Sequence, residues 1–295
     1  MRTKTLLLAA AVALAAGILT SSAQVYSANV VGYITMVVPA NGYQVMANTL
    51  INGSDANATN NNINVAFTNG FVSSPVPATI ANPNQNPALS SNTVFYAWNG
   101  SSFGAYYFFN AADATSWEGS PSPGGWYNGA GAPAVINLNQ GQAAFIFNHS
   151  SGAITNTFVG TVLQGTNTAS TIQPGYNFIA LQEPISTNPI VSGYGLPGTL
   201  TSSNDLNNAN DIPTPQSNDA IYVWNGSSFG AFYFFNQADA TYWENGGASS
   251  PVFPAGFYNS AGSPMPNSAY PVVNQGFFLY HTGSAITWTN GFVVQ

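Results

Sequence analysis

Short apolar runs recur along the chain, and Gly, Pro and Asn residues separate them. Such runs, rich in aromatic and β-branched residues, predict strands. In the first half the predicted strands are Val30–Val38, Gln44–Ala47, Val94–Trp98, Phe103–Phe109, Ala143–Phe147 and Ile154–Val159. In the second half they are Asn177–Ala180, Ala220–Trp224, Phe229–Phe235, Gly276–Tyr280 and Ala285–Thr289. Because no segment has the periodicity of an amphipathic helix, the pattern predicts an all-β protein.

The clearest predicted hairpin joins Val94–Trp98 to Phe103–Phe109. Its loop begins with Asn99-Gly100, a pair that tolerates the positive φ of a tight turn. The second half has the same pair at Asn225-Gly226. Phe103–Phe109 carries aromatic residues on both of its faces, which is typical of a strand covered on both sides.

One segment of the chain occurs twice. Tyr96–Glu118 is YAWNGSSFGAYYFFNAADATSWE, and Tyr222–Glu244 is YVWNGSSFGAFYFFNQADATYWE. The segments lie 126 positions apart and agree at 19 of 23 positions, which indicates an internal duplication. Weaker matches extend it on both sides, and polar Gln164–Ser170 is the predicted joint. We therefore expect two tandem units, residues 24–163 and 164–295, each a β-sandwich or a partly closed barrel.

The first 23 residues have the pattern of a secretory signal peptide. Arg2 and Lys4 precede the apolar run Leu6–Leu19, and Ser21-Ser22-Ala23 is a small-residue cleavage site. The apolar run is too short for a typical membrane span, and no second run follows it. We expect residues 1–23 to be removed and the protein to be exported to the periplasm, the cell surface or the medium.

Removal of the signal peptide leaves a chain without any Lys or Arg. Nine carboxylates then give a net charge of −9 when both histidines are neutral. This charge argues against partners that need a basic surface, such as nucleic acid and anionic lipid. Cysteine is absent, so the core must form without disulfides. A hydrophobic content of 45% argues against disorder.

The duplicated motif D-A-T-x-W-E is the first candidate site. It places Asp113 with Glu118 in one copy and Asp239 with Glu244 in the other. Two carboxylates with loop carbonyls suit Ca²⁺, and a carboxylate pair near a ring suits glycoside hydrolysis. The structural alternative is that each Asp caps a turn while each Glu faces water. The motif matches no established calcium loop or acid–base signature, so no cofactor is expected, with Ca²⁺ as the alternative.

Aromatic residues outside the predicted strands form the second candidate site. Trp126, Tyr127, Phe257 and Tyr258 belong to segments predicted as loops, where rings can stack on the faces of sugars. The alternative is that they belong to the core. His149 and His281 occupy different places in the two units, and neither has a second ligand at zinc spacing.

Three polar segments are predicted to be long loops: Ile51–Ser91, Gly119–Ala132 and Glu183–Asn218. Within the first, the Asn-rich stretch Asn57–Asn64 is predicted to be disordered.

Several short motifs resemble a group of exported bacterial proteins. They are Tyr26-Ser27-Ala28-Asn29-Val30-Val31-Gly32-Tyr33 after the signal peptide, Gly175-Tyr176-Asn177, Trp224-Asn225-Gly226 and Gly276-Phe277-Phe278. The first unit departs from the last motif, since it has Ala143-Ala144 at this place. The group has no established activity, so the resemblance implies export and a repeated β module but no catalytic role.

These observations favour a non-catalytic secreted or cell-surface module that binds neutral polysaccharide or other cell-surface material. A self-assembling matrix or surface-layer protein, stabilised by Ca²⁺, is the alternative from another class. A glycoside hydrolase is a remote third, because no catalytic constellation is recognisable beyond the duplicated carboxylates.

Overall fold

The computed structural model describes residues 30–51, 61–66, 92–162, 165–182, 200–202, 218–245 and 251–292. The predicted signal peptide lies outside the described residues. No helix in the described part of the chain is long and apolar enough to cross a membrane.

The strands follow one another in the same order in the two halves of the chain. The first half contains β1 (Val30–Val38), β2 (Gly42–Ala47), α1 (Ile63–Ala66), β3 (Val94–Trp98), β4 (Phe103–Phe109), α2 (Ala111–Glu118), β5 (Gly125–Asn128), β6 (Ala143–Asn148) and β7 (Ile154–Val162). The second half contains β8 (Gly165–Ile172), β9 (Gly175–Ala180), β10 (Ala220–Trp224), β11 (Phe229–Phe235), α3 (Gln237–Glu244), β12 (Gly256–Tyr258), β13 (Gly276–His281) and β14 (Ile286–Phe292). A short 3₁₀ turn, Asn267–Ala269, precedes β13.

Each half forms one five-stranded and one two-stranded sheet. The first five-stranded sheet has the order β2-β6-β3-β4-β5, and the second has the equivalent order β9-β13-β10-β11-β12. All neighbours in these two sheets are antiparallel. The pairs β1-β7 and β8-β14 are also equivalent. The predicted all-β class is therefore confirmed, and the sheets are open.

Strand prediction succeeded where side chains are apolar and failed where they are not. The strand β8 occupies Gly165–Ile172, most of which was predicted to be a polar joint. Its backbone pairs with β14 over most of its length, and pairing of backbone groups does not require apolar side chains. The short strands β5 and β12 lie in segments predicted as loops, so this part of the loop prediction is wrong.

The Asn-rich segment is ordered where the structure describes it. Asn64 donates from Nδ2 to Ala134 O at 2.8 Å, and its Oδ1 accepts from Trp126 N at 2.6 Å. Asn62 forms a β-bridge with Asn137. The prediction of disorder is therefore wrong for residues 61–64, while residues 57–60 lie outside the described part.

The two five-stranded sheets pack against each other through their inner faces. Aromatic rings dominate this interface, and its contacts recur with the two halves exchanged. Trp98 meets Phe278 with ring centroids 5.3 Å apart, and the equivalent pair Trp224 and Phe145 is 5.6 Å apart. This reciprocity is typical of an isologous two-fold interface, here formed within one chain.

Backbone hydrogen bonds show the same exchange of halves. Ala47 N donates to Asn274 O at 3.0 Å, and the equivalent Ala180 N donates to Gly141 O at 2.8 Å. The reciprocal bonds tie the edge strands β2 and β9 to the opposite half. They fix the relative position of the two sheets more narrowly than ring packing alone, because hydrogen bonds are directional.

The outer face of the second sheet is covered by β8-β14. Ile221, Phe277 and Leu279 of the sheet belong to one buried cluster with Ile172 of β8 and Trp288 of β14. In the first half, β1 and β7 have the alternating burial of strands with one covered face. Each half is thus built from a large sheet and a two-stranded sheet.

Candidate functional site

The duplicated D-A-T-x-W-E motif forms short helices, which the sequence analysis did not predict. Asn110 is the N-cap of α2, and its Oδ1 accepts from Asp113 N at 2.9 Å while its Nδ2 donates to Asp113 Oδ2 at 2.6 Å. Asn236 and Asp239 make the same pair of bonds in α3. The helices bury Trp117 and Trp243. The interpretation of each Asp as the cap is corrected: the preceding Asn caps the helix, and Asp is its third residue.

The helices separate the carboxylates of each motif. Asp113 lies in the first turn and Glu118 is the last residue, so their Cα atoms are about 7.5 Å apart along the axis. In the described part of the chain, no group of three or more Asp, Glu, His or Cys side chains comes together. The structure therefore does not bring Asp113 and Glu118, or Asp239 and Glu244, into one pair. A role for Ca²⁺ at these residues stays a prediction.

Each glutamate instead faces a tyrosine of the same half. Burial raises the pKa of Tyr258, and the nearby charge of Glu244 raises it further. Tyr127 and Glu118 are related in the same way. Burial also raises the pKa of Glu244, whose Oε1 has no hydrogen-bond partner among the described residues. The helices contact β5 and β12 through rings instead: Trp117 lies 6.1 Å from Tyr127 and Trp243 lies 6.5 Å from Tyr258, between centroids.

The four rings predicted as sugar platforms are buried. The exposed fractions of Trp126, Tyr127, Phe257 and Tyr258 are between 0% and 2%. They lie on β5 and β12, and the two tyrosine hydroxyls donate to the carbonyls of Pro123 and Pro254. The interpretation as loop residues is wrong, because these strands are too short to show alternation in the sequence. The ring faces pack in the core and are not presented to solvent.

His281, for which the sequence offers no second zinc ligand, is buried against Asp219. Its Nδ1 lies 2.8 Å from Asp219 Oδ2, and its Nε2 lies 2.6 Å from Ser284 O. Thr201 and Thr282 donate further hydrogen bonds to the Asp219 carboxylate. Both ring nitrogens thus face acceptors, and this set of bonds is complete only when each nitrogen carries a proton. The arrangement leaves no open position for a ligand.

An open cleft of about 690 Å³ lies where the two halves meet. One wall is the β3–β4 hairpin with Trp98 and Tyr106, and a second is the segment Val135–Ala143. The third wall is the turn between β8 and β9, together with Tyr176 and Asn177. A cleft of this size suits a ligand larger than a single small ion. None of the residues predicted to bind a ligand lines it.

The residues that the structure describes around the cleft combine uncharged polar side chains with apolar ones. Among these described residues, side chains of Asn, Gln, Ser, Thr, Tyr and Trp line it beside apolar ones, and no Asp, Glu, His, Lys or Arg does. Asn139 Oδ1 is a buried acceptor without a hydrogen-bond partner among the described residues. Trp98 Nε1 donates to Tyr176 O at 3.3 Å, and Gln140 Nε2 donates to Gln182 O at 2.6 Å. These two bonds join the first half to the second along the cleft.

The equivalent surface of the second half is apolar. Residues 135–142 correspond to residues 268–275, since Gln142 N donates to Asn139 O and Gln275 N donates to Val272 O. By this correspondence, Asn137, Asn139 and Gln140 are replaced by Tyr270, Val272 and Val273. Tyr106 and Ala97 are replaced by Phe232 and Val223. Phe232, Val223 and Tyr270 pack in or against the core of the second half.

In the sequence, the positions that point to the cleft are therefore those that differ between the two copies, and not those that are identical. The duplicated segment of 23 residues differs at four positions, and two of the four, 97 and 106, line the cleft. The residues that the two copies share lie mainly in the hairpin turn, the helix cap and the core.

No protein-family model, curated protein or solved structure was found to match this chain.

Proposed function

We propose that this protein is a non-catalytic exported module that binds a neutral polysaccharide in the cleft between its two halves. The observation that carries the proposal is the lining, whose described residues combine aromatic rings with many amide groups and include no charged side chain. Export is supported by the signal-peptide pattern of residues 1–23.

The lining matches the chemistry of a neutral sugar. Asn and Gln side chains both donate and accept, as sugar hydroxyls do, so each amide can bond a hydroxyl in either direction. Trp98, Tyr106 and Tyr176 supply ring surface for the less polar faces of a pyranose. Among the described lining residues, an anionic ligand would find no Lys or Arg, and a cationic ligand would find no carboxylate. A neutral polyhydroxylated ligand is the class that remains.

The comparison between the halves supports a binding role in the first half. Four cleft residues, Tyr106, Asn137, Asn139 and Gln140, have apolar or larger counterparts in the second half. A cleft that served only packing would be expected to close in both halves, because buried unpaired polar groups cost free energy. The first half keeps polar groups at an open surface, as ligand binding requires.

Affinity electrophoresis tests the proposal directly. Native gels would contain hydroxyethylcellulose, galactomannan or soluble starch as neutral polymers, and alginate as an acidic one. We expect at least one neutral polymer to retard the protein and alginate to leave its mobility unchanged. Absence of retardation in all neutral polymers, and in a wider array of neutral glycans, would overturn the proposal.

A matched pair of variants locates the binding site. Tyr106→Phe combined with Asn137→Tyr gives the cleft the residues of the second half, and we expect affinity to fall about tenfold, equivalent to about 1.4 kcal/mol. Tyr107→Phe is the control, because Tyr107 adjoins Tyr106 in β4 but lies outside the cleft. Equal affinity of the cleft variant and the control would place the binding elsewhere.

Self-association is a second candidate function, favoured by the outward face of β1 and β7. Val31, Tyr33 and Val37 of β1 are more than half exposed, and Val159 of β7 is 50% exposed. Uncharged exposed strand faces of this kind favour contact with another copy. Sedimentation velocity with and without calcium tests this candidate. Association that Tyr33→Thr weakens would support it, and a monomer under both conditions would reject it.

A further inference from the structure

Four tyrosines surround Ala220 on the inner face of the second sheet. Tyr176 pairs with Tyr280 across β9 and β13, and Ala220 of β10 pairs with both Tyr280 and Tyr233. This row crosses four strands and therefore extends about 14 Å. The fourth ring, Tyr222, stands two residues from Ala220 on β10. We call Tyr176, Tyr222, Tyr233 and Tyr280 the tyrosine platform.

The platform is a single group of contacting phenols. Tyr176 lies 4.7 Å from Tyr280 and 5.9 Å from Tyr222, measured between ring centroids. Burial raises the pKa of Tyr222, and so do Tyr176, to which it is hydrogen-bonded, and the neighbouring Tyr233 and Tyr280. The Tyr222 phenol is therefore uncharged at neutral pH. Tyr176 is 45% exposed and the other three are partly exposed, so the platform faces solvent.

The cleft and the platform share one residue. Tyr176 lines the cleft, and its ring also begins the row that crosses the second sheet. Its backbone is fixed at this junction by Trp98, which donates from Nε1 to Tyr176 O at 3.3 Å. Tyr176 therefore joins the lining of the cleft to the platform. At its far end, Tyr233 packs against the buried cluster that contains Trp243 of α3.

We propose that the tyrosine platform extends the cleft into one elongated site, which binds an internal stretch of a neutral polysaccharide chain. The inference rests on the proposed function of the cleft. The ligand class inferred for the elongated site is narrower than the one proposed for the cleft. It is a chain of several sugar units, and not a single sugar or a chain end. The cleft alone would hold a short fragment, while the platform would contact the units that follow.

The first sheet provides a natural comparison. The equivalents of Tyr176, Tyr222 and Tyr233 are Tyr43, Tyr96 and Tyr107, while Phe147 replaces Tyr280. Tyr43 and Tyr107 do not line the cleft. The first sheet thus has similar rings that are not joined to this cleft, and its residues serve as controls for the platform.

The test compares short and long fragments of the polymer that retards the protein. Isothermal titration of the unaltered chain would use its trisaccharide and hexasaccharide. We expect the hexasaccharide to bind about tenfold more tightly than the trisaccharide. Tyr233→Ser is expected to remove most of this gain and to leave trisaccharide affinity unchanged, whereas Tyr107→Ser changes neither. Tyr280→Phe, which copies Phe147 and keeps the ring, should reduce hexasaccharide affinity by a smaller factor.

Each contrary outcome has a distinct meaning. Equal affinity for the two fragments, or equal effects of Tyr233→Ser and Tyr107→Ser, would overturn the platform and leave the cleft. Absence of binding by the unaltered chain to any neutral glycan would overturn both proposals. A dimer in sedimentation experiments that dissociates on Tyr233→Ser would assign the platform to a second copy of the chain, and would also overturn the inference. Thermal melting of each variant verifies that it is folded.

Discussion

At the scale of single residues, the buried pair Asp219 and His281 distinguishes the two halves. The first half has Thr93 and Asn148 at the equivalent positions, and Asn148 Nδ2 donates to the carbonyl of Gly152 at 2.7 Å. An amide therefore satisfies the first half where a histidine–carboxylate pair satisfies the second. The exposed fractions of His281 and Asp219 are 1% and 0%, so neither charge is solvated by bulk water.

Replacing one partner of this pair should destabilise the protein strongly. His281→Asn leaves the Asp219 carboxylate buried without its ionic partner, which costs about 3–5 kcal/mol. The double variant Asp219→Thr, His281→Asn copies the first half and should lose less stability than the single variant. Urea denaturation measures both. A single variant no less stable than the double variant would contradict the ionic interpretation.

Tyr96 should make the stability of the protein depend on pH, in a direction that the pKa of its phenol determines. Burial, followed by the neighbouring Tyr43 and Tyr107, raises the pKa of Tyr96 from 10.0 to about 12. Because the pKa of Tyr96 is raised in the folded chain, the unfolded chain loses this proton first as pH rises. The contribution of the neutral Tyr96 to the free energy of unfolding is therefore complete below pH 10 and declines as pH rises from about 10 to 12. Denaturation midpoints measured across this range should fall less in Tyr96→Phe. An identical pH profile for both proteins would contradict the assignment.

At the scale of elements, the sequence pattern located strands reliably where their side chains enter the core. The hairpin β3–β4 has the predicted bounds, because alternating apolar residues and Asn99-Gly100 act together. The helices α2 and α3 were missed, because eight residues with two buried apolar positions in α2 give too weak a period. Their start depends on a side-chain cap, which resembles any other Asn in a chain rich in Asn.

The helix caps predict different costs in the two halves. Asn236→Ala removes a donor from Asp239, which is 6% exposed and also bonded to Ser202. Asn110→Ala makes the same change beside the more exposed Asp113. We expect Asn110→Ala to lower the free energy of unfolding by about 1 kcal/mol. Asn236→Ala should lower it by more, because it leaves a buried carboxylate with one hydrogen-bond donor fewer. Equal losses in chemical denaturation would contradict this explanation.

At the scale of the whole molecule, the packing of the two large sheets was beyond the sequence pattern. The cleft is formed by the β3–β4 hairpin and by the β8–β9 turn, which lie far apart in the chain. Duplication indicates two similar units but does not state which faces meet. One difference between the two halves does reflect the interface: Ala143 of the first half lies opposite Gly276 of the second.

Gly276 is required by the close approach of the two sheets. A Cβ at this position would collide with the Ala143 side chain and lie 3.0 Å from Val45 Cγ1. Gly276→Ala should therefore cost about 1–3 kcal/mol through overpacking. Ala143→Gly at the equivalent position introduces no such collision and should lower the free energy of unfolding by about 1 kcal/mol or less. Thermal unfolding measures the stability of both variants. A Gly276→Ala protein more stable than the unaltered one would contradict this close packing of the two sheets.

The central claim, that the cleft of the first half binds a neutral glycan, is tested most directly by amide hydrogen exchange. Exchange would be measured with and without the hexasaccharide of the polymer that retards the protein. The cleft predicts slower exchange in Trp98–Tyr106 and Val135–Ala143, with little change in the equivalent Trp224–Phe232 and Ser268–Gly276. Unchanged exchange in the first pair, or equal protection of both pairs, would contradict the claim.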